Sequence, residues 1–124
     1  MQLARLAVIG LFGIDVAGVA CSSSYGTGGG ASNLCAGQGA AQTVTAGGNL
    51  RFSPDSILIA VGQKVCWQNS SGLSHTVTSD TGTVLAATLN NGTFTVKTFT
   101  SAGTVAYHCV PHQGNGMVGK VVIQ

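Results

Sequence analysis

Charged residues are scarce in this sequence of 124 residues: five are Lys or Arg and three are Asp or Glu. A net charge of +2 provides no basic field for wrapping a nucleic acid, so no nucleic-acid partner is expected. The small number of Glu, Lys and Arg residues also argues against a helical protein. Apolar residues still make up 44% of the chain, which argues against disorder and is enough for the core of one domain.

Histidine and proline are also rare, with three and two residues, whereas glycine contributes 19. Short runs of β-forming residues separated by turn residues begin near Gln42, and no segment has a convincing helical period. The strand candidates are residues 43–45, 50–52, 56–61, 64–69, 75–78, 93–100, 104–109 and 120–123. Asn91-Gly92 is a strong signal for a β-hairpin. The pattern predicts an all-β Greek-key sandwich or barrel over residues 41–124.

No apolar run is long enough to span a bilayer, which takes about 20 residues. The longest candidate, residues 6–20, follows Arg5 and is interrupted by Asp15. A basic start, an apolar middle and small residues before a cut are typical of an export signal, which we place at residues 1–21. A buried helix is the alternative interpretation of this run.

The end of this signal resembles a degenerate bacterial lipobox, because small residues precede Cys21. Lipidation of Cys21 is favoured over ordinary cleavage after Ala20. Residues 22–40 are rich in Gly, Ser and Ala, and we expect them to form a flexible linker. The expected location is the periplasm or the outer face of the cytoplasmic membrane, with a lipid anchor.

Three potential metal ligands lie within nine residues near the end of the chain: Cys109, His112 and Met117. His75 lies far upstream, where a turn leads into a strand. Two imidazoles, one thiolate and a distant thioether are the donor set of a type 1, or blue, copper site. Zinc is the rival metal, but zinc sites rarely use Met, and the paired Cys or His spacings of structural zinc sites are missing here.

The sequence resembles the cupredoxins, and the plastocyanins in particular. Three blocks carry the resemblance: residues 48–54, residues 61–75 and residues 107–121. The resemblance implies that His75, Cys109 and His112 are strong copper ligands and that Met117 is a weak axial ligand. It also implies a one-electron carrier that docks transiently, as a monomer, on redox proteins. The docking and electron-exit patch would comprise Leu50, Gly72, Leu73, Pro111 and Gly114.

The sequence departs from the plastocyanin pattern around the ligands. Ser74 replaces the usual Pro before the first His, and Thr76 replaces an Asn that braces the ligand loops. A single hydroxyl can make fewer such hydrogen bonds. We expect Asn69 and Thr76 to lie next to the ligand residues and to hold them in place without binding the metal. His108 replaces an aromatic residue, and the plant acidic cluster is missing, so a partner that needs an acidic patch is not expected.

Four cysteines allow three pairings. With Cys109 on copper and Cys21 lipidated, Cys35 and Cys66 remain. An exported protein permits a disulfide between them, and it is favoured over two free thiols.

Other functional classes are less compatible with the sequence. A copper oxidase or nitrite reductase needs further copper sites, for which three histidines are too few. A copper-delivery protein usually has an open Met- and His-rich site. An immunoglobulin-like adhesion domain would need no Cys, His and Met at this spacing. We therefore expect an electron carrier rather than an enzyme.

Overall fold

The computed structural model describes residues 33–124, and the expected signal peptide, Cys21 and most of the expected linker lie outside the described residues. Nine strands and one short 3₁₀ helix make up the described part of the chain. The strands are β1 (Gln42–Ala46), β2 (Phe52–Ser53), β3 (Ser56–Ile59), β4 (Lys64–Asn69), β5 (His75–Ser79), β6 (Ala86–Leu89), β7 (Thr93–Thr98), β8 (Gly103–His108) and β9 (Val118–Ile123). The 3₁₀ helix, Val110–Asn115, lies between β8 and β9. No helix within residues 33–124 is long and apolar enough to cross a membrane.

The strands form two sheets whose inner faces share one apolar core. One sheet has the order β2-β1-β4-β7 and the other has the order β3-β9-β8-β5-β6. β1 pairs with β4, and β3 with β9, in parallel. All other pairings between these strands are antiparallel. The expected all-β sandwich is therefore confirmed.

Two elements were missed by the sequence analysis, and one local prediction was wrong. β6 and the 3₁₀ helix were not predicted, because Ala86–Leu89 has little β-branched character and Val110–Asn115 contains both Pro and Gly. The hairpin predicted from Asn91-Gly92 does not form, although the turn is present and Thr93 N donates to Asn90 O. This turn joins β6 to β7, which belong to different sheets. Turn residues specify a local reversal, but the partners of the flanking strands depend on long-range packing.

The central strand β4 is buried on both faces. Val65, Trp67 and Asn69 share the core side of β4, and Cys66 and Gln68 point to the other side. That outer side is covered by a turn just before β1, where Cys35 forms a disulfide with Cys66. The backbone N–H of Cys35 also donates to the Gln68 side chain. Residues 33–40, the last part of the expected linker, therefore include a turn that is attached to the sandwich.

Aromatic side chains dominate the core beneath the ligand end of β8. The ring of Tyr107 lies edge-on against Trp67, with centroids 5.5 Å apart, and against Phe52, at 4.9 Å. Neither the Tyr107 hydroxyl nor the Trp67 indole N–H makes a hydrogen bond of normal geometry, although both are buried. Burial raises the pKa of Tyr107 to about 12, and the Trp67 indole partly opposes this shift.

The wild-type protein should lose stability at alkaline pH because of Tyr107, and we expect Tyr107→Phe to remove this loss. In the wild type the unfolded chain releases the phenolic proton near pH 10 and the folded chain only near pH 12. Stability is therefore complete below pH 10 and falls as the pH rises toward 12, by up to about 2.7 kcal/mol. At pH 8 the variant should be as stable as the wild type or more stable, because the lost hydroxyl has no partner.

Urea unfolding of both copper-loaded proteins at pH 8 and pH 11 tests this expectation. The difference between the two proteins isolates the contribution of Tyr107, because every other titratable group is common to both. An equal loss of stability in both proteins between pH 8 and pH 11 would contradict it.

Candidate metal centre

Three side chains from separate parts of the sequence converge at one end of the sandwich. His75 begins β5, Cys109 follows β8 and caps the 3₁₀ helix, and His112 lies within that helix. The Nδ1 atoms of the two histidines are 3.1 Å apart, and Cys109 Sγ lies 3.6 Å from His75 Nδ1 and 3.4 Å from His112 Nδ1. His75 and Cys109 are buried and His112 is half-buried. The structure therefore brings together three donor atoms that are suited to a metal.

The 3₁₀ helix explains the spacing of Cys109 and His112. A 3₁₀ helix has three residues per turn, so residues three apart lie on one side of it. The backbone N–H of His112 donates to the Cys109 carbonyl, which closes this turn, and Pro111 stands at its start. Gly116 follows with a φ of +83°, a left-handed conformation that returns the chain to β9.

Met117 closes the same loop. Its carbonyl accepts a hydrogen bond of 3.0 Å from the backbone N–H of Cys109, so the two residues face each other across the base of the loop. The Met117 side chain is completely buried in the apolar core. This position agrees with the expected axial role, which stays a prediction.

Thr76 supports the cysteine sulfur from β5. Its backbone N–H donates to Cys109 Sγ at 3.3 Å, and its hydroxyl accepts the backbone N–H of Val110 at 2.9 Å. A backbone donor aimed at the sulfur stabilises a thiolate. The single hydroxyl thus connects β5 to the ligand loop, and the supporting role of Thr76 stays a prediction.

The surroundings of the histidine ring at the start of β5 favour its neutral form. Burial lowers the pKa of His75, and the facing ring of His112 lowers the pKa further. A hydrogen bond with the backbone of Gly47 acts in the opposite direction. A neutral imidazole is the form that binds a metal, so this environment favours coordination.

The predicted docking residues surround these ligands in the chain. Pro111 and Gly114 flank His112, and both are exposed. Gly72 and Leu73 precede His75, and the Leu73 side chain is 42% exposed. Leu50 is half-buried and packs against the core. Sequence reasoning missed Val110, which is 58% exposed beside Cys109.

The third histidine does not join the cluster. His108 Nδ1 lies 2.6 Å from an Asp80 carboxylate oxygen on the outer face of β8. Alternation along β8 puts Tyr107 and Cys109 on the core side and His108 on the other side. This arrangement agrees with the expectation that His108 is not a ligand.

Two supporting residues had no clear signal in the sequence. Ser71 lies in the turn between β4 and β5, and its hydroxyl is 3.1 Å from His75 Nε2. Arg51 donates from Nη1 to the backbone carbonyls of Leu50 and Asn115, which ties the segment before β2 to the ligand loop. The Arg51 contact joins segments 64 residues apart in sequence, so no local pattern indicates it. The Ser71 contact is local, and a hydroxyl four residues before His75 could have indicated it.

The donor set fits copper. Two imidazoles and one buried thiol sulfur converge at distances that a single ion can bridge, and a buried thioether lies in the same loop. Thiolate and thioether suit Cu(I), and imidazole also suits Cu(II). A two-sheet sandwich with this cluster at one end defines a blue copper protein of the cupredoxin class.

Comparison with known proteins places the chain within that class. The profile of the family described as copper binding proteins, plastocyanin/azurin family, matches residues 39–124. The chain belongs to this family, whose members are blue copper proteins known as electron carriers. The family resemblance found in the sequence and the copper cofactor are thus confirmed.

Individual relatives agree with this assignment. Plastocyanin from Rumex obtusifolius is 36% identical over 62% of this chain and 91% of its own length. The chloroplastic plastocyanin of Tetradesmus obliquus is 38% identical over 62% of this chain, which spans only 61% of that protein. A reduced amicyanin variant is 28% identical, with a TM-score of 0.61, over 69% of this chain and 83% of that structure. A purple cupredoxin from Nitrosopumilus maritimus shares the fold, with a TM-score of 0.57 and 24% identity. The match covers 67% of this chain and 99% of that structure.

Proposed function

We propose that this chain is a type 1 copper electron-transfer protein that carries single electrons between redox partners. The observation that supports this most directly is the convergence of His75 Nδ1, Cys109 Sγ and His112 Nδ1 within 4.8 Å of one another. We assign these three residues as the strong copper ligands and Met117 as the weak axial ligand. Copper bound there supplies a one-electron couple between Cu(I) and Cu(II).

The residues around the ligands hold this set rigid. His75 is part of β5, and Thr76 ties that strand to both Cys109 and Val110. The cysteine and the methionine are joined through the backbone at the base of the loop. Ligands that barely move between the two charge states keep the reorganisation small, and the buried surroundings of Cys109 exclude water from its sulfur.

One ligand reaches toward the surface. His112 is half-buried, between the exposed residues Pro111 and Gln113. We propose that electrons enter or leave through its ring. The patch of Leu50, Gly72, Leu73, Pro111 and Gly114 would dock the partner, with Val110 extending it. The few charges of the chain favour short-lived apolar contacts, as a carrier that must also dissociate requires.

A carrier role is favoured over an enzyme. The chain has three histidines; two are in the cluster, and the third is paired with Asp80. They cannot supply a second copper site of several imidazoles. The cavities described within residues 33–124 are lined by residues other than the three cluster members.

Redox titration of the copper-loaded protein tests the carrier role. We expect one fully reversible one-electron step, followed by the visible absorption, and rapid electron exchange with a small inorganic oxidant and reductant. Consumption of a substrate, such as nitrite or dioxygen, by the loaded protein would contradict a pure carrier.

We also propose that residues 1–21 are an export signal, that residues 22–40 form a linker to the copper domain and that Cys21 carries the lipid anchor. The apolar run before Cys21 supports this, and the disulfide between Cys35 and Cys66 suits an oxidising compartment.

In a bacterial host the full chain should fractionate with membranes, and Cys21→Ala should release it to the periplasmic fluid. Equal distribution of the two proteins would contradict lipidation.

A further inference from the structure

The Asn69 side chain at the end of β4 has only one possible orientation. Its amide nitrogen lies 2.7 Å from the backbone carbonyl oxygen of Leu73 and 2.7 Å from that of Leu89. Carbonyl oxygens only accept hydrogen bonds, so the amide group must donate both of its protons there. The other side-chain atom, Oδ1, is therefore the acceptor that faces the following turn.

This acceptor determines where the Ser71 proton goes. Asn69 Oδ1 lies 2.9 Å from the backbone N–H of Ser71 and 2.7 Å from the Ser71 hydroxyl. Oδ1 can only accept, so the hydroxyl donates its single proton to it. The hydroxyl oxygen is left with two lone pairs and no further proton.

Both lone pairs of that oxygen face donors. One accepts the backbone N–H of Leu73 at 3.2 Å. The other faces His75 Nε2 at 3.1 Å. Because the hydroxyl has no proton left to donate, the hydrogen bond exists only if His75 Nε2 carries the proton.

We infer that Ser71, oriented by Asn69, is a positioning residue that keeps the proton of His75 on Nε2 and leaves Nδ1 free to bind copper. This inference rests on the proposed function, in which His75 is a copper ligand. The free Nδ1 faces Cys109 Sγ and His112 Nδ1. Ser71 thus selects the tautomer and prevents the ring from rotating, as an outer partner of a ligating histidine does.

Removing the hydroxyl tests the inference. Ser71→Ala deletes the acceptor at Nε2, and the Asn69 amide keeps its bonds to Leu73 and Leu89. We expect the Nδ1–H tautomer of His75 to become populated in the copper-free protein, read from the ring ¹⁵N chemical shifts. Cu(I) affinity, measured by competition with a chelator, should fall about tenfold, and the reduction potential should shift.

Two further variants provide the controls. Ser70→Ala removes a neighbouring hydroxyl from an exposed side chain and should leave the tautomer and the affinity unchanged. Ser71→Thr retains a hydroxyl and should keep the wild-type tautomer of His75 and the wild-type Cu(I) affinity. A Ser71→Ala protein that keeps Nε2–H, with unchanged affinity, would overturn the inference.

The test separates the two claims. If the wild type lacks the blue copper spectrum, the proposed function fails, while the ¹⁵N shifts of the copper-free protein still report on Ser71. If the wild type is blue and Ser71→Ala has the wild-type tautomer and affinity, only the role of Ser71 fails.

Discussion

Replacing Cys109 with serine should eliminate the blue colour of the copper-loaded protein. Cys109 is the free cysteine of the described residues, and its sulfur is the only thiol in the cluster. The intense visible band of a blue copper protein is a charge transfer from thiolate sulfur to copper, and a serine hydroxyl cannot provide it. The small copper hyperfine splitting in the electron paramagnetic resonance spectrum should also disappear. Affinity for Cu(I) should fall by several orders of magnitude.

The substitution should leave the fold intact. Serine is similar to cysteine in volume, and the N–H of Thr76 that faces the sulfur can donate to the new oxygen instead. Circular dichroism and urea unfolding of the copper-free proteins check this point. His108→Gln is a matched control, because His108 is adjacent in sequence but points to the outer face. A band that survives in Cys109→Ser, or disappears in His108→Gln, would contradict the ligand assignment.

Removing the disulfide should cause a large loss of stability without a change at the metal centre. Cys35 and Cys66 are 31 residues apart in sequence. Closing a loop of this length restricts the unfolded chain enough to stabilise the fold by about 3–4 kcal/mol. Cys35→Ala should therefore lower the free energy of unfolding by about this amount, measured in urea under oxidising conditions.

The spectrum of the copper centre should not change in this variant, because Cys66 points away from the core side of β4. Reduction of the wild-type disulfide should produce a similar loss of stability, and reduced Cys35→Ala should show no additional loss. If Cys35→Ala loses less than about 1 kcal/mol, the unfolded chain is restricted in some other way, and the disulfide is not a major support of the fold.

Much of the sandwich could be predicted from the sequence. β4 was predicted with the observed bounds, because Val65 and Trp67 fall on one face of a short run that ends at a turn. The start of β5 at His75 was predicted from the preceding turn. The hairpin at Asn91-Gly92 failed because β6 and β7, on either side of the turn, belong to different sheets. Neighbouring residues carry no information about the choice of sheet.

By itself the sequence determined the class of fold, the metal and the local part of the ligand set. The Cys-x2-His spacing matches one turn of 3₁₀ helix, so Cys109 and His112 are brought together by backbone geometry alone. Tertiary structure decided which distant groups complete the centre. The pairing of β5 with β8 brings His75 and Thr76 to the sulfur, and the Leu89 carbonyl helps to orient Asn69, which in turn orients Ser71. The bonds from Thr76 to Cys109 and from Asn69 to Leu89 join groups far apart in the chain, and only the packed fold creates the orientations that they require.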